Sequence, residues 1–171
     1  MSPVTEVIAF GTGLRVAIDF VDELGTDEGV LVGNTASGLV HVLGEHRATA
    51  TYPEREFRVN AGALHQYVST SPTSTCYLAE VRPGLELPVI SLEGMRAVTV
   101  GRVKREKRTF MRINTECGAS FTAQDADSVH VGGPSAKCVR EIQVGDEVAC
   151  FTAHGRATHL GEEVEEFIEE F

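Results

Sequence analysis

The stretch that decides the fold is Arg55-Glu56-Phe57-Arg58-Val59-Asn60-Ala61-Gly62-Ala63-Leu64-His65-Gln66-Tyr67-Val68. Its Asn-Ala-Gly step predicts a tight backbone feature, because glycine reaches conformations that are closed to other residues. The alternation after Gly62 predicts a strand with His65 and Tyr67 on one face. Asn60 is then either a turn-forming residue or a polar anchor for a ligand.

A second polar strand is predicted farther along the chain, at Val100-Gly101-Arg102-Val103-Lys104-Arg105-Glu106-Lys107-Arg108. Alternation places Arg102, Lys104 and Glu106 on one face. Two interpretations stay open for this face. Lys104 and Arg102 have the chemistry to bind a substrate carboxylate while Glu106 orients a base. The same charges also suit a plain row of cross-strand salt bridges.

Short runs rich in Val and Thr, separated by many of the 17 glycines, predict an all-β fold built from compact antiparallel barrel or sandwich modules. Candidate strands include residues 15–20, 97–104 and 109–114. Leu78–Leu87 resembles Val139–Val148, which indicates an internal duplication. We therefore expect an N-terminal β subdomain at 1–70, a first repeat at 71–132 and a partial second repeat at 133–171 that closes the fold.

Composition excludes several classes of function. The chain has 171 residues and a net charge of −10, which argues against nucleic acid or an anionic membrane as partner. No leader peptide or long apolar run is present, so a cytoplasmic location is expected. The cysteines lack zinc-site spacing and are predicted to be small buried hydrophobic residues. They are Cys76, Cys117, Cys138 and Cys150.

Together with Glu28-Gly29-Val30-Leu31-Val32-Gly33 and Gly145-Asp146-Glu147-Val148, these segments resemble the C-terminal half of the archaeal-type (class II) 3-dehydroquinate synthases and the related aminohydroxybenzoate synthases. The order and spacing of many short pieces carry the likeness, since no single piece is a catalytic signature. The resemblance implies a stand-alone counterpart of that half, without the family's N-terminal half.

The resemblance implies chemistry on a keto or amino-keto acid. In the full synthase it implies NAD-dependent oxidative deamination followed by an intramolecular aldol closure. Such a cyclisation needs an acid or base near neutral pH and a group that holds an enolate oxygen. We expect His65, Tyr67, Lys104 and Glu106 to be catalytic and to share one concave site. The expected substrate-binding residues are Asn60, Arg102, Gln124 and His159.

The leading hypothesis is a small cyclase or lyase-type enzyme of specialised metabolism that works by acid/base (enolate) chemistry. One alternative is a non-catalytic β subunit that completes a split synthase with an N-terminal-half partner. Another is a small-molecule-binding barrel without turnover. The protein partner is expected to be either the N-terminal half or a second copy of the chain, as a homo-oligomer. No cofactor is expected, and NAD in particular is not, because no G-x-G-x-x-G segment links a strand to a helix. A divalent metal stays an open alternative.

Overall fold

The computed structural model describes residues 1–51, 53–152 and 169–171, and the backbone alone at 156–159 and 162–165. Within those residues the only helical pieces are two single 3₁₀ turns, Leu78–Glu80 and Val139–Glu141. The predicted all-β class is confirmed. The strands are β1 Ser2–Phe20, β2 Gly29–Thr35, β3 Gly38–Glu45, β4 Arg55–Ala63, β5 Tyr67–Ser71, β6 Ser74–Tyr77, β7 Glu86–Ser91, β8 Gly94–Thr115, β9 Ser120–Gln124, β10 His130–Val131, β11 Lys137–Cys138, β12 Glu147–Val148, β13 Cys150–Thr152, β14 Arg156–His159 and β15 Glu162–Glu165.

Six strands form a closed antiparallel barrel in the order β2-β3-β4-β1-β8-β7, because β2 pairs with both β3 and β7. Closure removes the exposed strand edges of an open sheet. Alternate aliphatic side chains from all six strands fill the core. They are Val16, Ile18, Val30, Val32, Val40, Val42, Val59, Ala61, Leu87, Val89, Val98 and Val100.

The two longest strands, β1 and β8, continue beyond the barrel. There they pair with β12 and β9 respectively, and a second part of the core forms around Val4, Ile113 and Phe121. The expectation of separate strands at 97–104 and 109–114 is wrong. The charged residues between them stay in the ladder, because each one pairs across to β1 between Gly13 and Val16.

The two segments matched as a repeat have the same local structure. Each begins with a 3₁₀ turn, and each then reaches a glycine with φ of 95°, Gly84 or Gly145. The first glycine donates its N–H to the carbonyl of Val100, and the second donates to the carbonyl of Val4, both at 2.8 Å. The sequence likeness therefore reflects a shared turn that attaches to equivalent strands.

The predicted strand at His65 is wrong, because β4 ends at Ala63 and β5 begins at Tyr67. Gly62 has φ of 86°, and the Gln66 N–H bonds the carbonyl of Ala63 at 3.2 Å, which turns the chain. The Gln66 side chain is fully buried and bonds the backbone of β4 and β9. His65 therefore lies in a turn and does not share a strand face with Tyr67. None of the described residues form a helix long and apolar enough to cross a membrane.

Candidate functional site

One outer face of the barrel wall is polar. On β1, Val16 and Ile18 point into the core, so Arg15 and Asp19 point to the opposite side. Strand registers align this row with polar residues on β4 and β8, and β9 extends it. We call this surface the polar face. It consists of Arg15, Asp19, Arg58, Asn60, Arg102, Lys104, Glu106, Arg108, Arg112, Thr122 and Gln124.

The polar face carries an excess of positive charge. Six of its side chains are cationic and two are acidic, whereas the whole chain has a net charge of −10. Cations on neighbouring strands raise the local potential for anions. A small carboxylic acid is therefore a better match for this surface than for the rest of the protein.

At the centre, Arg15 joins strands from both sides. Its Nη1 donates to Gln124 Oε1 at 2.9 Å, and its Nη2 donates to Glu106 Oε1 at 3.2 Å. Asn60 Nδ2 donates to the same Gln124 oxygen at 2.8 Å. Lys104 Nζ lies 3.4 Å from Glu106 Oε1. The structure thus brings four of the predicted residues together: Asn60, Lys104, Glu106 and Gln124.

Glu106 is held as a carboxylate. Partial burial raises its pKa, but the positive charges of Arg108, Lys104 and Arg15 outweigh that effect and lower the pKa below its usual value. Arg108 also forms a short ion pair with the second carboxylate oxygen. An ionised Glu106 suits charge balance and orientation, and it is a poor proton donor at neutral pH.

Two polar atoms of this network stay unsatisfied. Arg15 and Asn60 are 5% and 2% exposed. Within the described part of the chain, Arg15 Nε and Asn60 Oδ1 have no hydrogen-bond partner. Buried polar atoms are normally bonded, and leaving them unpaired costs about 1–3 kcal/mol each. One donor and one acceptor of this network are thus unpaired, and both atoms are shielded from solvent.

Beside this network, Asp19 binds two arginines. Arg58 donates to it from Nε at 2.7 Å and from Nη2 at 3.0 Å, and Arg102 donates from Nε at 2.7 Å. Burial raises the pKa of Asp19, but the hydrogen bonds from Arg58 and Arg102 outweigh burial and lower it. The Arg102 side chain is 62% exposed, so it keeps donors free for an anion while Asp19 holds its stem in place.

His65 heads a second hydrogen-bond network. Its Nε2 lies 2.8 Å from Asn34 Oδ1, which also accepts from Thr122 Oγ1 at 2.7 Å. Asn34 Nδ2 donates to Ser120 Oγ at 3.0 Å. An amide oxygen only accepts, so His65 carries its proton on Nε2 and presents Nδ1 as a base. Burial, followed by the charge of Arg112, lowers the pKa of His65, which favours the neutral ring.

Strand β9 connects the two networks. Thr122 and Gln124 are alternate residues, so their side chains point to the same side, about 7 Å apart along the strand. A cavity of about 450 Å³ opens here, lined by His65, Thr122, Phe110 and Tyr77 among others. His65 is therefore adjacent to the Lys104–Glu106 network along β9, although no hydrogen bond in the described residues joins them directly.

The remaining predicted residues lie elsewhere. Tyr67 stacks on Tyr77 with ring centroids 4.8 Å apart, and its hydroxyl donates to Glu170 at 2.8 Å. Tyr67 therefore packs against Tyr77, which lines the cavity, and does not line the cavity itself. The hydrogen bond with Tyr77, burial and Glu170 raise the pKa of Tyr67. His159 belongs to β14, where its backbone pairs with Glu162. The His159 side chain is outside the described residues.

Sequence reasoning missed several members of the site. Four residues lie in strands whose local sequence carries no functional motif, and they reach their partners only through long-range strand pairing. They are Arg15, Asp19, Asn34 and Thr122. For example, Arg15 and Glu106 are 91 positions apart. A signal did exist for Arg15 and Asp19, because a charged residue at alternate positions of an aliphatic strand indicates a second, polar side.

Among the residues that the structure describes, none are arranged to hold the cofactors that the resemblance implies. In the described part of the chain, no strand leads through a glycine-rich turn into a helix that could hold a dinucleotide phosphate. The described residues also hold no group of three or more His, Cys, Asp or Glu side chains arranged for a metal ion.

Comparison with known proteins gives a consistent likeness. The sequence model of a family described as "3-dehydroquinate synthase II C-terminal domain" matches residues 1–171. A "3-dehydroquinate synthase" of Korarchaeum cryptofilum is 39% identical over 98% of this chain and 52% of its own length. A "3-dehydroquinate synthase homolog" of Persephonella marina is 36% identical over 96% of this chain and 51% of its own length. The chain thus spans about half the length of these relatives. No solved structure gives a significant match.

Proposed function

The chain belongs to the family of 3-dehydroquinate synthase II C-terminal domains, and we propose that it carries the acid/base half of a biosynthetic enzyme that acts on a keto or amino-keto acid. The reaction class is enolate formation leading to cyclisation or its reverse. The observation that supports it most is the cationic polar face, with its unpaired donor and acceptor, next to a neutral histidine.

The substrate carboxylate is assigned to the cationic network. The exposed side chains of Lys104 and Arg102, which alternate on one face of β8, offer donors to the two carboxylate oxygens. Charge-assisted bonds of this type are about twice as strong as neutral ones. Glu106 limits the repulsion between the cations and keeps Lys104 and Arg15 in position.

Proton transfer is assigned to His65. The bond from Nε2 to Asn34 fixes the ring, so Nδ1 is the atom that removes a proton from the carbon next to the ketone. Asn34 is itself fixed by Ser120 and Thr122, which limits rotation of the base. A lowered pKa keeps His65 in the basic form at neutral pH.

Hydrogen–deuterium exchange tests this assignment without knowledge of the natural substrate. The full chain is mixed with 2-oxobutanoate in D₂O, and NMR follows the loss of the C3 protons. The proposal predicts catalysed exchange that His65→Ala lowers by about 10²–10⁴-fold. Lys104→Ala should weaken the apparent affinity with a smaller effect on the maximal rate.

Matched controls separate the site from the rest of the chain. His130→Ala removes a half-buried histidine outside the polar face, and Lys107→Ala removes a lysine of β8 that alternation places on the other side. Both should leave exchange unchanged. Exchange that persists in folded His65→Ala protein contradicts the assignment. A loss of exchange in the two control variants as large as that in His65→Ala contradicts it as well.

A second candidate function is favoured by exposed apolar residues beside the cavity. Ile8, Phe10 and Leu14 of β1 are 39–42% exposed, and an exposed apolar patch is a typical mark of an interaction surface. The relatives are about twice as long as this chain. We propose that an N-terminal half packs on this part of β1 and closes the cavity, as expected for a two-part synthase.

Co-expression tests this second candidate. The chain is produced together with the N-terminal half of the Korarchaeum cryptofilum relative and analysed by size-exclusion chromatography with light scattering. A one-to-one complex is expected, and Phe10→Asp with Leu14→Asp should abolish it. Leu92→Asp, at an 84% exposed position in the turn before β8, is the control that should leave it intact. Folded halves that do not associate would contradict the proposal.

A further inference from the structure

Two cysteines meet where β8, β1 and β13 converge, away from the polar face. Cys117 lies in the turn between β8 and β9, and its N–H donates to Ser2 Oγ at 3.0 Å. Ser2 pairs with Val148 of β12, and Cys150 Sγ lies 3.4 Å from the Val148 carbonyl. Each thiol is near enough to influence the pKa of the other. Residues far apart in sequence therefore bring Cys117 and Cys150 to the same place in the fold.

The four cysteines differ in exposure. Cys117 is exposed, Cys76 and Cys150 are half-buried, and Cys138 is buried. The prediction that every cysteine is a small buried hydrophobic residue is therefore wrong for Cys117. The reason is its place in a tight turn, where Gly118 has φ of 93° and the side chain projects outward.

The surroundings shift the pKa values of the two thiols in opposite directions. Partial burial raises the pKa of Cys117, but hydrogen bonds from Ser2 and Thr115 outweigh burial and lower it to about 7. Thr115 Oγ1 lies 3.3 Å from this sulfur. Burial and the neighbouring Cys117 raise the pKa of Cys150 to about 11. An exposed thiolate next to a second thiol is the arrangement found at redox-sensitive sites.

We propose that Cys117 and Cys150 form a reversible disulfide, in which Cys117 reacts with a hydroperoxide and Cys150 resolves the product. The Cys117 thiolate attacks the outer peroxide oxygen, so the S–O bond forms while the O–O bond breaks and alkoxide leaves with a solvent proton. Cys150 then attacks the sulfenic sulfur, the S–O bond breaks, and the hydroxide takes the Cys150 proton to become water. The two sulfurs lose two electrons, and the peroxide gains them.

The bond would connect the β8–β9 turn to β13. It would close a covalent loop around the second part of the core, which contains Val4 and Val148. Constraint of the unfolded chain stabilises the folded state, more for longer loops. Oxidation should therefore raise the melting temperature of the whole protein.

Hydrogen peroxide is the probe for the test. The full chain is oxidised, its intact mass is measured, and the peptides are mapped before and after dithiothreitol. We expect loss of two hydrogens, a link between Cys117 and Cys150, and full reversal by the dithiol. Cys150→Ser should instead accumulate a sulfenic acid at Cys117 that dimedone traps. Cys117→Ser should slow thiol loss about tenfold or more, whereas Cys76→Ser should match wild type.

Alkylation of the wild-type chain tests the reactivity of Cys117 without any substitution. The rate of Cys117 alkylation by iodoacetamide should rise with pH around a midpoint near the pKa of about 7. Retention of all four free thiols after peroxide treatment overturns the proposal. A cross-link that involves Cys76 or Cys138, or a Cys117 that alkylates only at high pH, overturns it as well.

Discussion

Replacement of Asp19 by asparagine removes the negative charge that binds Arg58 and Arg102 and leaves the shape of the side chain nearly unchanged. The Asp19 and Arg58 side chains are 3% and 8% exposed, so the variant strands a buried guanidinium opposite a neutral amide. Breaking a buried pair in this way costs about 3–5 kcal/mol. Arg102 is 62% exposed and can turn to water, which places the expected loss near the lower end, at about 3 kcal/mol.

Urea unfolding followed by circular dichroism measures this loss. With a slope of about 2 kcal/mol per molar, the midpoint should fall by about 1.5 M. Asp22→Asn is the control, because Asp22 pairs with Arg96 at the surface and such pairs contribute under about 1 kcal/mol.

The same pair of proteins should also respond differently to pH. The pKa of Asp19 is lowered in the folded state. The stability that Asp19 contributes is therefore complete above its unfolded-state pKa and is lost as the pH falls through its folded-state pKa. The difference in free energy of unfolding between wild type and Asp19→Asn should therefore decrease below about pH 4. Equal midpoint shifts in both variants would refute the reasoning.

Three further predictions concern the turn around His65. Gly62→Ala should lower the free energy of unfolding in urea by about 3–5 kcal/mol, because a Cβ at φ of 86° would lie 2.1 Å from the Thr122 carbonyl oxygen. Gly118→Ala is the control, since a Cβ there meets open space and should cost about 1 kcal/mol. Gln66→Leu should cost about 3 kcal/mol by the same assay, since it leaves the Thr122 N–H and two carbonyls unpaired, and a loss under 1 kcal/mol would contradict the turn's dependence on that amide. Exchange of 2-oxobutanoate should rise with pH to a plateau with a midpoint below 6.5, because the pKa of His65 is lowered from that value, and a midpoint above it would contradict a neutral base.

Alternation alone was sufficient to place Lys104 and Glu106 on one face of a strand, since that relation depends on neighbours two residues apart. The meeting of Asn60 with Gln124 required the pairing of β4, β1, β8 and β9, which local patterns do not encode. His65 was expected in a strand because its alternation looks regular. The buried hydrogen bonds of Gln66 favour a turn there and outweigh the strand preference of the flanking residues.

The repeat shows the same division between local and long-range information. The matched segments have equivalent turns because the Gly84 and Gly145 positions have a local backbone requirement. The closed barrel depends on β2 pairing with strands on both sides, and no short segment signals that closure. The cationic character of the polar face was hidden for a related reason, because acidic residues elsewhere dominate the net charge of −10.

The central claim, that the polar face binds a small keto acid, is tested most directly by an NMR titration of the ¹⁵N-labelled full chain with 2-oxobutanoate. We predict saturable shifts of the Arg102 Nε–H and the Lys104 backbone amide, weaker binding by Lys104→Ala, and no comparable shifts with 2-butanone, which lacks the carboxylate. Shifts that do not saturate, or that appear away from Arg102 and Lys104, would contradict it.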